Sequence, residues 1–244
     1  MELSIIIFLI ALFLVALLYS SVGHGGASGY LALMALFHFA PESMRSTALV
    51  LNVLVSLVAA WQYAGKEKLN IRFFLWLIAG SIPLAYLGAR ITVDAEIYKV
   101  LLGIFLLFHA VRLLNIFKIN PTSTTSPPNW IVVVTGAAIG LISGMIGVGG
   151  GIILSPLMLA FGWAGVKQTA LTSALFIFVN SAAGLAGLFS KGFAFESDLY
   201  LWLIIAFAGG LIGSRLGSRT LSSDVLKKML AVVLLIAGLK LILY

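Results

Sequence analysis

Apolar runs of about 20 residues recur along this chain, and no other feature limits its fold as strongly. Each is the length of one membrane crossing by a helix and twice that of a barrel strand, which alternates over roughly ten residues. Of 244 residues, 61% are hydrophobic and 9% are charged, against about 25% charged in a soluble domain. A soluble fold of this size could not hide so much apolar surface. The expected class is all-α: a polytopic transmembrane helical bundle. Runs ended by charge, Gly or Pro predict helices near 3–21, 27–39, 45–63, 71–90, 96–115, 130–146, 151–162, 167–189, 198–218 and 223–243. The first run carries Glu2 and neither Lys nor Arg. It reads as a retained helix, since a signal peptide starts positive and has a shorter apolar core.

Two of these segments, 27–39 and 151–162, are too short to span, and each follows a glycine cluster. "SVGHGGAS" holds Gly23, Gly25 and Gly26; "MIGVGGGI" holds Gly147, Gly149 and Gly150. Other matches keep the same order: Thr47-Ala48-Leu49 with Ser173-Ala174-Leu175, Trp76 with Trp202, and "LGARI" at 87–91 with "LGSRT" at 216–220. The chain therefore reads as a duplication. Residues 1–115 form the first transmembrane repeat, the polar, Pro-rich 116–128 a linker, and 129–244 the second repeat. Five crossings per half would invert the repeats. Lys66, Lys68, Arg72, Arg112, Lys118, Lys167, Arg215, Arg219, Lys227 and Lys228 would then share one side, with Arg45, Arg90, Lys99, Lys191 and Lys240 on the other: 10 against 5 of the 15 cations. Re-entrant short segments would give parallel halves and an 8-to-7 split. Positive residues gather on the cytoplasmic side, so inverted repeats with glycine-interrupted short helices are expected. Both termini would then lie outside.

Non-helical backbone at membrane depth persists only inside protein or beside a water-filled cavity. A helix that starts afresh there offers unpaired N–H groups and the positive end of its dipole, which suits an oxyanion. Glycine lets a ligand approach the backbone closely. Paired interruptions at corresponding places in two halves point to a transporter's central site. The expected substrate-binding residues are Gly23, His24, Gly25, Gly26, Ala27, Thr47, Asn52, Gly147, Gly149, Gly150, Gly151, Ser173 and Asn180. His24 would donate to the anion or carry a proton, unless it merely faces wet interface. Thr47 and Ser173 would cap the third helix of each half; Asn52 and Asn180 would offer amides. The plainer role of such residues is interhelical hydrogen bonding. Evenly spaced Gly136, Gly140 and Gly144, and Gly209, Gly213 and Gly217, read as packing faces. Arg45 would face an outer vestibule; His38 and His109 would sit at the interface.

All eight carboxylates, Glu2, Glu42, Glu67, Asp94, Glu96, Glu196, Asp198 and Asp224, fall near predicted helix ends or loops. An intramembrane acid marks a cation or proton pathway, so cation transport through carboxylates is disfavoured. The absence of cysteine excludes thiolate metal sites, iron–sulfur clusters and cysteine catalysis. No metal site, cofactor or catalytic residue is expected; neither HExxH nor GxSxG occurs. The glycine cluster is no dinucleotide or P-loop motif, since GxGxxG is not met and no Lys-Ser/Thr follows. The net charge of +7 reads as cytoplasmic helix anchors, not as a nucleic-acid surface.

"GMIGVGGGIILSPLML" at 144–159, "TSALFIFVNSAAG" at 172–184 and "GGLIGSRLGSR" at 209–219, with weaker copies in the first half, resemble the sulfite exporter TauE/SafE family. The resemblance covers essentially the whole chain. The first half departs from the second, with His24 and Ala27 in place of Val148 and Gly151. The resemblance implies a multi-pass permease of the cytoplasmic (inner) membrane and a small inorganic or organic sulfur anion: sulfite, sulfoacetate, thiosulfate or another organosulfonate. A secondary transporter, an exporter, is the expected function. An anion channel and a non-transporting membrane scaffold are the alternatives. The expected partners are that anion and the lipid bilayer, with a homodimer left open.

Overall fold

A computed structural model describes residues 2–21, 23–114, 126–192, 198–219 and 224–243. Ten helices account for nearly all of them: α1 (Glu2–Ser20), α2 (Ala27–Leu36), α3 (Pro41–Ala64), α4 (Ile71–Arg90), α5 (Ala95–Leu113), α6 (Asn129–Ile146), α7 (Gly151–Ala160), α8 (Val166–Phe189), α9 (Leu199–Arg219) and α10 (Asp224–Leu243). Among the described residues no strand occurs, and six helices are long and apolar enough to cross a membrane: α1, α3, α4, α6, α8 and α9. The chain is an all-helical, multi-pass membrane protein. Most of the expected 116–128 linker lies outside the described residues, as does the Arg219 side chain.

Several boundaries differ from the sequence reading by two to four residues. The short helices α2 and α7 hold 10 residues each, because the chain leaves helix at Phe37 and Phe161. Helix α3 begins at Pro41 rather than near residue 45, with Pro in its first turn. Proline's fixed φ is already helical, and its missing N–H would have had no partner there. Thr47 consequently lies inside α3, and Ser173 likewise lies inside α8. Neither hydroxyl caps its helix.

Glycine stripes set how the helices cross. Gly136, Gly140 and Gly144 of α6 lie against the backbone of Leu77, Ser81 and Ala85 of α4, and Gly209, Gly213 and Gly217 of α9 against that of Phe13 and Leu17 of α1 and of Ser21 just past its end. Both registers ascend together, so each pair runs parallel. A Cβ at Gly140 would stand 2.7 Å from the Ser81 Cα, closer than packed carbons come. Helices α3 and α8 run antiparallel: Gly184 packs on Leu49, Asn52 bonds Ser181, and Tyr63 clusters with Ala170 and Leu171. So do α5 and α10, where Gly103 meets Ile242 and Gly238 meets Leu107.

These registers, with the connections, order the helix directions. Phe8 near the start of α1 meets Phe37 edge-on and stacks with Phe39, both beyond the end of α2 (5.3 and 5.5 Å), so α2 returns alongside α1. Arg45 near the start of α3 reaches carbonyls at the end of α4. Trp163 after α7 meets Phe73 at the start of α4 (5.9 Å). Helices α1, α3, α5, α7 and α9 therefore point one way, and α2, α4, α6, α8 and α10 the other. Arg45, Arg90, Lys99, Lys191 and Lys240 gather towards one face, and Lys66, Lys68, Arg72, Lys167 and Arg215 towards the opposite one.

Candidate functional site

Both glycine clusters turn inward and meet where α3 crosses α8. Gly26 and Gly150 precede α2 and α7 in the left-handed conformation (φ 99° and 79°), which costs an L-residue about 1–2 kcal/mol. Gly23, Gly147 and Gly149 also have positive φ (77°, 89° and 70°). Asn52 and Ile177, which touch both clusters, each stand at the middle of a 24-residue helix. The two helix starts therefore lie deep in the bundle.

Asn52 ties the clusters together. Its Oδ1 accepts from the Ala27 N–H of the first cluster at 3.1 Å; its Nδ2 donates to the Val148 carbonyl of the second at 3.2 Å and to Ser181 Oγ at 3.3 Å. A donor on one side and an acceptor on the other fix which way the amide faces. Glycine is required here by space as well. A Cβ at Gly149 would stand 2.7 Å from both Asn52 Nδ2 and Ser181 Oγ.

Ile177 fills the remaining space. Its Cγ2 would lie 3.0 Å from a Cβ at Gly25 and 2.9 Å from one at Gly149, and its δ-methyl abuts Gly151. The gap expected to hold an anion is thus closed by one amide and one isoleucine, and Ala27 N–H, expected to meet the anion, meets Asn52. Among the described residues no acceptor pairs with the N–H groups of Ser28 and Gly29 in α2 or of Gly151 and Ile152 in α7.

The other expected residues divide. His24 reaches from the first cluster to the second half, its Nε2 3.1 Å from Ser155 Oγ, which in turn lies 2.7 Å from Ser173 Oγ. Thr47 is buried, and its hydroxyl has no hydrogen-bond partner among the described residues. Asn180 donates to the Phe176 carbonyl of its own helix at 2.8 Å, leaving a buried Oδ1 without a partner; it does not join the clusters as Asn52 does. Gly23 packs against Ala170, and Gly147 against Arg45. Arg45 donates to the carbonyls of Gly88, Ala89 and Gly144 (3.1, 2.7 and 2.8 Å), binding the ends of α4 and α6 one turn from Gly147.

Sequence reading missed Ile177, one apolar residue among many, and Tyr30. The Tyr30 ring folds back over Gly26, where a Cβ would stand 2.7 Å from its hydroxyl, and that hydroxyl is buried with no partner among the described residues. The i to i+4 spacing from a helix-starting glycine was the signal available. Ser143, also orphaned, lies beside Gly150. His109 corrects an expectation. It is not interfacial but 4% exposed, and its Nδ1 lies 2.8 Å from Ser28 Oγ and 3.3 Å from the Tyr19 hydroxyl. His38 is exposed.

The described carboxylates lie at helix ends or in loops. The site is accordingly lined by neutral hydroxyls, amides, an imidazole and backbone N–H groups, a set that favours a guest bearing several acceptors and negative charge.

Comparisons with known proteins point to membrane transporters. The model of the family described as "Sulfite exporter TauE/SafE" matches residues 8–241. "Probable membrane transporter protein y4hK" of Sinorhizobium fredii is 37% identical over 237 residues, which cover 96% of each chain. "Probable membrane transporter protein YjnA" of Bacillus subtilis is 29% identical over 98% of this chain and 100% of its own. "Probable membrane transporter protein YdhB" of the same species is 25% identical over 96% and 98%. No solved structure matches the chain.

Proposed function

Because the chain belongs to the sulfite exporter TauE/SafE family of membrane transporters, we propose that it is a secondary transporter that exports a small sulfur-containing anion. Sulfite, sulfoacetate, thiosulfate and other organosulfonates are the candidate substrates. One observation carries the reading: two left-handed glycine turns, one from each half, start helices against the middle of the bundle with no carboxylate beside them. Residues 1–115 and 129–244 act as inverted repeats around that point. Support comes from helix direction, since α3 opposes α8 and α5 opposes α10. On the 10-to-5 split that the sequence predicts for inverted repeats, the face carrying Arg45, Arg90, Lys99, Lys191 and Lys240 is the outer one, because the side richer in cations is cytoplasmic. The protein resides in the cytoplasmic membrane.

In this reading the arrangement of side chains is the closed state of the carrier. An anion at the helix starts takes the N–H groups of Ser28, Gly29, Gly151 and Ile152 and displaces Asn52 Oδ1 from Ala27. That exchange replaces a neutral acceptor with a charged one, and charge-assisted hydrogen bonds are roughly twice as strong. His24, Ser155, Ser173 and Thr47 supply further donors. Ile177 must swing out of the gap, so substrate entry requires α8 to shift against α3. Export of one negative charge down an inside-negative potential gains about 2.3 kcal/mol per 100 mV, which drives efflux without a coupling ion.

Flux of sulfite, sulfoacetate and thiosulfate in proteoliposomes tests the proposal. Saturable flux that collapses in Gly149→Leu is expected. Flux that rises without saturation identifies a channel. Anion flux absent from wild type, with Gly149→Leu cells unaltered, identifies a scaffold and refutes transport.

A further inference from the structure

A second polar feature lies away from the glycine clusters. A cavity of about 240 Å³ opens between the C-terminal ends of α2 and α10 and the starts of α3 and α5. Its walls carry His38, Lys99 and Lys240 beside Met44 and Tyr98, and among the described side chains no carboxylate lines it. Lys99 is paired, 2.8 Å from Glu96 Oε1. Lys240 has only neutral acceptors among the described residues: the carbonyls of Ala35 and Leu36 at 3.4 and 3.3 Å, and His38 Nε2 at 3.1 Å. Those are long contacts for an ammonium group, which reaches an anionic oxygen at about 2.7–2.9 Å. His38 itself sits at φ 62°, an uncommon backbone for a residue other than glycine. Its ring is thereby turned to the Lys240 amine.

The cavity also borders the central site. The Tyr98 hydroxyl in its wall donates to the Ile146 carbonyl at 3.0 Å, directly before Gly147. Met44, also in the wall, precedes Arg45, whose side chain packs on Gly147. Tyr98 and the Met44–Arg45 turn thus stand between this cavity and the second glycine cluster. We propose that the cavity is an anion vestibule, in which Lys240 and His38 bind the transported sulfonate or oxyanion where it leaves or enters the central site. The inference rests on the anion-transport reading. Lys240 supplies the charge, Tyr98 and Met44 form the gate, and α2, whose other end holds Ala27, links vestibule to site. An anion that draws the ammonium off the Ala35 and Leu36 carbonyls frees the end of α2 to move.

A phosphate headgroup of an anionic lipid would satisfy the same chemistry, so the test separates the two sources. The full-length protein in phosphatidylcholine nanodiscs is treated with an amine-acylating reagent, with and without sulfoacetate, and labelling of Lys240 is read by mass spectrometry. Lys191, which bonds Thr92 on the same face outside the cavity, serves as internal control. Protection of Lys240 by about tenfold at sulfoacetate about ten times its half-saturation, as occupancy 1 + [L]/Kd requires, with Lys191 unchanged, supports the vestibule. Protection only when phosphatidylglycerol replaces phosphatidylcholine overturns it in favour of a lipid site; protection in neither overturns it outright. In oriented proteoliposomes Lys240→Gln should raise half-saturation for sulfoacetate about tenfold at this face and under twofold at the other. Equal change at both faces overturns the assignment. Wild-type flux with unprotected Lys240 refutes the vestibule alone; absent flux with protected Lys240 refutes the transport reading alone.

Discussion

Asn52 and Asn180 look alike in sequence, yet the structure assigns them very different loads. Asn52→Ala removes three hydrogen bonds that join α3 to both glycine clusters and to α8. Interhelical hydrogen bonds in membrane proteins average about 0.6 kcal/mol each, with a maximum near 1.7. Three of them sum to about 2 kcal/mol. The Ala27 N–H and the Val148 carbonyl are also left deep in the bundle without a partner, which adds about 1 kcal/mol or more. The expected loss is about 3 kcal/mol. Asn180→Ala removes one bond within a single helix and relieves a buried, unpartnered Oδ1, so its cost should stay below about 1 kcal/mol. Unfolding free energies of both variants, measured by denaturing-detergent titration in mixed micelles, give the comparison. A loss below 1 kcal/mol for Asn52→Ala, or equal losses for the two, would show that the clusters are not held together through this amide.

Gly213→Ala places a Cβ on the Leu17 backbone, whereas Gly165→Ala meets nothing within 4 Å. The first should abolish accumulation of folded protein, and the second should leave melting within about 0.5 kcal/mol of wild type, both read by fluorescence size-exclusion chromatography with thermal challenge. Ile177→Phe overfills the space against Gly25, Gly149 and Gly151. It should cost about 1–3 kcal/mol and halt anion flux in proteoliposomes; undiminished flux would remove the central gap from the path. His109→Phe strips a partner from Ser28 and Tyr19 and should lower stability by about 1–3 kcal/mol, while an interfacial histidine would show no change in the same melt.

Much of the fold is legible in one dimension because a lipid solvent imposes a one-dimensional rule. Each crossing needs an apolar run of about 20 residues, and every backbone group must be satisfied within it. Ten predicted segments match ten helices, with ends that shift most where Pro41 starts a helix early and Phe37 follows the end of one. The glycine clusters were legible as helix breaks for a related reason, since positive φ is unfavourable for other residues. His109 was not. Its place within an apolar helix is the same whether the ring faces lipid or the Tyr19 and Ser28 hydroxyls, and only the neighbouring helices α1 and α2 decide between them.

The sequence by itself determined that this chain is a helical membrane protein, that its backbone breaks at two glycine clusters, and that no acidic residue sits within its long apolar runs. Each is a property of local chemistry: hydropathy, glycine's missing Cβ and charge. Only the tertiary structure decided what lies between the breaks. The crossing of α3 and α8 brings Asn52 and Ile177 to one point, where the amide takes the N–H offered by one helix start and the isoleucine shuts the gap to the other. Hydrogen bonds and van der Waals contacts act over a few ångströms in space, and no spacing along the chain encodes which of many similar side chains will arrive there.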